Sequence, residues 1–191
     1  LIVSMDLDGN VKNHRNLDSG YGSKDAAKSV IADSDGVYIL GYISRNDAQA
    51  QNLMFLKMET DISKDIMWEK QVDSETQVTD SPQYMVADAN NVYIAGYCKG
   101  KNSGNLDWWI LSLSKDKGSE NWTKTIDGPT GGMDKANSIS LDGDTVYVTG
   151  FIDVDDSGEY ADFSTATIAI GKFNTSDGSM VENWDELYTV T

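Results

Sequence analysis

The hexapeptide Val37-Tyr38-Ile39-Leu40-Gly41-Tyr42 returns as Val92-Tyr93-Ile94-Ala95-Gly96-Tyr97 and again as Val146-Tyr147-Val148-Thr149-Gly150-Phe151, its glycines 55 and then 54 positions apart. Self-similarity at a fixed period of this size belongs to chains whose units cannot bury an apolar face alone and stack on their neighbours. Upstream of each copy stands an equivalent segment opening on Asp25, Asp80 or Asp134, and a short polar turn separates the two. Those turns, Asp33-Ser34-Asp35-Gly36, Asp88-Ala89-Asn90-Asn91 and Asp142-Gly143-Asp144, carry the residues that tight hairpins require. Two antiparallel strands therefore open each unit.

A third β-rich run follows after a loop: Asn52–Met58, Asp107–Leu113 and Ala166–Phe173. A polar hairpin then leads to a run opening on Trp68, Trp122 or Trp184, which supplies a fourth strand. Residues 1–9 match the third strand and the following turn of one more copy. The expected fold is all-β, a β-propeller fragment of about three and a half four-stranded antiparallel blades, each roughly 54 residues long. Residues 1–22 form the end of a preceding blade; 23–74, 75–128 and 129–191 form one blade each, all within one propeller domain. An open fan leaves a blade face exposed at each end, so the remaining blades are expected elsewhere in a longer parent chain.

Asp134-x-Ala136-x-Ser138-Ile139, the turn, Val146-Tyr147-Val148-Thr149-Gly150, an Asp-x-x-Ile such as Asp107–Ile110 and a closing Trp together resemble the seven-bladed β-propeller repeat family of bacterial and other surface or secreted proteins. The resemblance covers essentially the whole chain and implies a scaffold with no fixed catalytic residues. It also implies an extracellular or cell-surface location. The stretch Leu113–Trp122, with its turn, Gly118 and Trp122, resembles the corresponding motif of quinoprotein propellers, although the adjacent cysteine pair those dehydrogenases often carry is absent.

The formal charge of −16 comes from carboxylates scattered along the chain. Such a surface repels phosphates, and no basic stripe interrupts it outside Lys99 and Lys101, so nucleic acid and anionic membrane are poor partners. No run approaches the roughly 18 apolar residues of a membrane helix. The single cysteine, Cys98, has no internal disulfide partner. Asn121-Trp122-Thr123 and Asn174-Thr175-Ser176 are candidate glycan acceptors.

Features that recur in every unit point to the fold rather than to chemistry. The tryptophans at one repeat position are expected to fill the gap between blades, and the recurring Asp25, Asp80 and Asp134 are expected to hydrogen-bond in every blade. Trp108 stands outside the tryptophan pattern and, with Lys99 and Lys101, is a candidate for a binding rim. That rim is formed by the loops between second and third strands, which differ sharply while their flanks stay alike: Ser44–Gln49 mixed, Lys99–Gly104 basic, Asp153–Glu159 acidic.

The acidic loop carries one motif with a specific mechanism. Asp153, Asp155 and Ser157 followed by Gly158 reproduce the opening of a calcium loop, in which alternate oxygens converge on a hard cation. Ser164 stands where an EF-hand places its bidentate glutamate, so the set would be completed by Glu159, Asp162 or carbonyls.

A nucleophile–histidine arrangement would have to route through His14, the only histidine, and no Gly-x-Ser-x-Gly surrounds a serine. Gly131-Gly132 lacks the lysine and helix of a phosphate loop and suits an inter-blade turn. The expectation is a non-enzymatic structural or interaction scaffold that binds a protein or glycan through its rim loops, without cofactor unless calcium is held. The competing expectation is part of a propeller enzyme, a glycoside hydrolase or lyase or a quinoprotein, with catalytic residues partly outside the chain.

Overall fold

A computed structural model describes residues 1–18, 20, 25–44, 51–74, 80–100, 104–155, 161–181 and 188–190. The architecture is all-β, a propeller segment of three four-stranded antiparallel blades and half of another. The half blade pairs β1 (Ile2–Met5) with β2 (Val11–Arg15). Blade 1 holds β3 (Ala26–Asp33), β4 (Gly36–Ser44), β5 (Gln51–Met58) and β6 (Ile66–Val72). Blade 2 holds β7 (Asp80–Ala87), β8 (Asn91–Lys99), β9 (Leu106–Ser114) and β10 (Glu120–Ile126). Blade 3 holds β11 (Met133–Asp142), β12 (Thr145–Val154), β13 (Thr167–Asn174) and β14 (Tyr188–Val190). Within each blade the strands lie in sequence order. Trp184 lies outside the described residues, and the described part of the fourth strand begins at Tyr188.

Strand alternation sends successive side chains to opposite faces, and the second and third strands of each blade are apolar on both. Tyr38, Leu40, Leu53 and Phe55 leave the rear of blade 1 and join Met85, Ile94, Trp109 and Leu111 from the front of blade 2 in one core. Tyr93, Ala95, Trp108 and Ile110 then meet Ile139, Val146, Val148 and Phe173 in the same way between blades 2 and 3. A third core lies on the front of blade 1, where Val37, Ile39, Leu56 and Met58 are partly covered by Ile2 and Leu17 from the half blade. Burial of these faces drives the stacking.

One irregularity appears in every blade. The first strand carries a β-bulge at Lys28, Gln83 or Asn137, directly after the residue opposite the repeat glycine: Ala27 faces Gly41, Pro82 faces Gly96 and Ala136 faces Gly150. A bulge bends its strand and increases local twist. Here it brings the first-strand backbone so close that a Cβ on the glycine would overlap the carbonyl oxygen of Ala26, Ser81 or Lys135. Glycine is thus required by the close approach.

Between blades, the fourth-strand tryptophan reaches the next blade's turn between third and fourth strands. Trp122 is buried, its Nε1 donates to Thr175 O at 2.8 Å, and its ring covers Gly178. Trp68, half-buried, lies over Gly118 in the corresponding turn of blade 2. The gap-filling role expected for both is observed. In that turn Lys115, buried, donates through Nζ to Asp33 Oδ2 at 2.5 Å and to Asp88 O at 3.2 Å, tying blade 1 to blade 2.

Candidate functional site

The end of the blades that carries the second-to-third-strand loops also carries the recurring aspartates. Each sits at or just before the start of a first strand, and its carboxylate accepts backbone N–H groups that the strands leave unpaired. Asp134 accepts from Gly128 N at 2.5 Å and from Asp153 N at 2.7 Å. Asp80 accepts from Ser74 N at 3.0 Å, the residue matching Gly128, and Asp25 accepts from Ser44 N at 3.4 Å, the residue matching Asp153. The aspartates therefore latch the incoming linker, the end of the second strand, or both. Among the described residues the second oxygen of Asp80, Oδ1, is buried without a hydrogen-bond partner.

Around Asp134 the negative charge is concentrated. Oxygens of Asp107, Asp127 and Asp134 lie within 4.8 Å of one another, with Asp107 and Asp134 buried and Asp127 exposed. Sequence reasoning did not bring these three together. Asp107 precedes the third-strand tryptophans and Asp127 follows the fourth strand, so only the pairing of β9 with β10 and the docking of blade 3 make them neighbours. Burial, opposed by the two backbone hydrogen bonds and assisted by the charges of Asp153 and Asp127, pushes Asp134 up to about 6. Burial likewise pushes Asp80 up to about 6, with Asp73 adding repulsion. Cys98 faces the same carboxyls: burial first, then Asp80 and Asp107, drive its thiol up to about 12, which leaves it without thiolate character at neutral pH.

A pH dependence follows. A carboxyl whose folded pKa exceeds its unfolded value of about 3.9 binds its proton more tightly in the folded protein, so its contribution is fully present below that value and lost as pH rises toward 6. Asp80 and Asp134 should together tilt the stability curve downward between about pH 4 and 6, by up to about 3 kcal/mol each, and leave it flat above. Replacing exposed Asp127 with Asn removes one repelling charge. Thermal melts at pH 4 to 8 should show a shallower slope for Asp127→Asn and a midpoint at pH 7 raised by about 1–2 °C. An unchanged profile would mean that Asp127 does not act on Asp134.

The rim candidates fare differently. Trp108, expected at the surface, is instead fully buried: its indole lies in the core between blades 2 and 3 and its Nε1 donates to Phe151 O at 3.0 Å. The physical reason is a redistribution of volume, because blade 2 places this large side chain and the small Ala95 in one core where blade 1 has Leu53 and Leu40. Lys99 is half-buried at the end of β8, and Lys101 lies outside the described residues.

In the acidic loop, Asp153 adopts a left-handed backbone (φ 62°) and its Oδ1 accepts from Thr130 N and Oγ1 at 2.9 and 2.6 Å, so this oxygen is engaged with the linker entering blade 3. Asp155 and Asp162 face each other in an isolated bridge, Asp162 N donating to Asp155 O at 2.6 Å. The Asp162 carboxylate accepts from Ser164 N at 2.9 Å and caps the short 3-10 turn Phe163–Thr165; hydrogen bonding from the Ser164 side chain, then from its backbone, holds the Asp162 pKa below the usual range. Ser157 and Glu159 lie outside the described residues. His14 is exposed on β2, opposite Val3.

The recurring aspartates thus serve backbone contacts in each blade, to the linker, to the second strand or to both. No protein-family model matches the chain, and no curated protein matches it. No helix among the described residues is long and apolar enough to cross a membrane.

Proposed function

We propose that the chain is a segment of a propeller scaffold, of the surface or secreted repeat type, that holds a protein or glycan on the rim formed by its second-to-third-strand loops. One observation carries this reading: the recurring aspartates of blades 1, 2 and 3 hold backbone N–H groups of the incoming linker or the second strand, Trp68 and Trp122 pack on the turn of the next blade, and the sequence differences between blades are concentrated at the rim. From β4 to β5 the connection spans 45–50, from β8 to β9 it spans 100–105, and from β12 to β13 it spans 155–166, so one scaffold presents three unlike loops. The −16 charge favours basic or neutral partners and an exposed, well-hydrated setting.

Calcium in the third loop is the second part of the reading. The bridge between Asp155 and Asp162 brings the two ends of the loop together, with Asp153 two residues before Asp155. Both parts are tested on one set of proteins: the intact chain, a chain with the three loops shortened to Gly-Ser connections, and Asp155→Ala. Glycan-array and peptide-array binding should be lost with the loops and retained in their absence only if the rim is not the binding face. Added calcium should raise the unfolding midpoint of the intact chain by several degrees and leave Asp155→Ala unmoved. No shift in either protein removes calcium from the reading.

A further inference from the structure

The aspartates that open the first strands have a second acidic residue at a constant distance before them. Asp18 precedes Asp25, Asp73 precedes Asp80 and Asp127 precedes Asp134, each by 7 positions. Directly after Asp73 and Asp127 come Ser74 and Gly128, whose N–H groups Asp80 and Asp134 accept. The fourth-strand end of one blade therefore brings the next blade a carboxylate together with a hydrogen bond. Register adds a third oxygen-bearing side chain. Asn52 stands opposite Ile43 and Asp107 opposite Cys98, at the same place on the third strands of blades 1 and 2, and both are buried.

Holding a backbone N–H does not call for this much charge. A neutral side-chain oxygen would accept the same bond without the desolvation cost of a carboxylate, and a second carboxylate nearby adds only repulsion. After burial itself, Asp73 acts in that way on Asp80, and Asp153 and Asp127 do so on Asp134.

Two observations give the charge a purpose. Asp80 is 2% exposed, and while its Oδ2 takes Ser74 N, its Oδ1 is buried in the seam between blades 1 and 2 without a hydrogen-bond partner. An acceptor left open on a buried carboxylate is a place for a positive ligand. At the same repeat position in the next seam, oxygens of Asp107, Asp127 and Asp134 lie within 4.8 Å of one another. At that separation all three reach a single ion at calcium's ligand distance of about 2.4 Å, and exposed Asp127 gives the ion a path from solvent.

We propose that both seams hold a calcium ion between the end of a fourth strand and the start of the next first strand: Asp107, Asp127 and Asp134 hold it between blades 2 and 3, and Asn52, Asp73 and Asp80 between blades 1 and 2. The donors are all hard oxygens, which suits calcium rather than a transition metal. The ion neutralises carboxylates that otherwise repel, takes up the open oxygen of Asp80 and ties each blade to the next. Both sites are built from the linkers and third strands, apart from the acidic loop of blade 3, and they stand whether or not that loop binds calcium.

The test loads the full chain carrying Asp155→Ala with calcium, removes free ion by gel filtration, and measures bound calcium by elemental analysis and the thermal midpoint before and after dialysis against chelator. Because most of the donors are buried, the seam ions stay bound through the column: further calcium leaves the midpoint unmoved and chelator lowers it. One calcium per seam is expected. Asp127→Asn and Asp73→Asn, both at exposed positions, should each lose one, and the double variant should retain none and ignore chelator. The melts add a reversal that repulsion alone does not produce. The rise expected for Asp127→Asn belongs to the metal-free chain in chelator, and in the loaded protein this variant should melt below its parent. Calcium retained equally by the double variant, a midpoint that chelator does not move, or equal retention of magnesium loaded in the same way would each overturn the inference. Calcium held by the intact chain but lost with Asp155→Ala alone would assign the ion to the acidic loop and overturn it likewise.

Discussion

Gly96→Ala should cost blade 2 about 4 kcal/mol or more and lower the thermal midpoint by roughly 10 °C or more. The added Cβ would meet Ser81 O and Pro82 Cα, both backbone atoms of the bulged first strand. A flexible side chain could swing aside; a strand held by its ladder hydrogen bonds cannot. Relief requires the bulge at Gln83 to open, which separates β7 from β8 and exposes the core between blades 1 and 2. The control is Gly143→Ala. Gly143 has a left-handed backbone (φ 59°), but a Cβ there meets nothing within 4 Å, so it should lose only about 1 kcal/mol from strain. If urea unfolding found the two variants equally stable, close approach at the bulge would not be what the repeat glycine serves.

The second large effect is expected at the seam between blades 2 and 3. Trp122→Ala removes a buried indole that packs at 6.2 Å from the Tyr93 ring, and it leaves Thr175 O without its donor. A loss of about 3–5 kcal/mol is expected. Trp122→Phe should recover all but about 1–2 kcal/mol, since it restores most of the buried area but not the hydrogen bond. The decisive comparison pairs it with Gly178→Ala. With the indole present, a Cβ on Gly178 would strike the ring at 2.5 Å; with Trp122→Ala it would enter the space the ring vacated. Denaturant melts of the four proteins should therefore give a coupling energy above about 1 kcal/mol, whereas additive losses would show that ring and turn do not touch. Trp68→Ala should cost less, because Trp68 is only half-buried.

The strands of all three blades were legible because two signals agree: alternating or continuous apolar runs, and turn residues at fixed offsets. The roles of Asp80, Asp134, Trp68 and Trp122 were legible through recurrence, which separates what the fold needs from what one blade needs. The bulges at Lys28, Gln83 and Asn137 were not, because the bulged residue is polar in each and its neighbours keep a strand-like composition; the glycine opposite is their only trace. Trp108 misled for a related reason. An aromatic residue without repeat counterparts suggests a surface role, but two blades can fill equal space with different large and small partners, and a single chain does not reveal the exchange. The Asp107, Asp127 and Asp134 cluster unites residues from two blades, so local pattern had nothing to say about it.

The seams have a consequence for how such a chain can change over generations. Each joins the rear and fourth-strand tryptophan of one unit to the front and glycine turn of the next, and its bonds reach no farther than that neighbour. Gene duplication or loss of one whole period therefore creates a junction whose two sides already match. A break at half a period would set a tryptophan against a turn with no glycine to receive it. Growth and shrinkage in whole units is thus the mutational path of least resistance, and point substitutions at the rim can proceed without disturbing it.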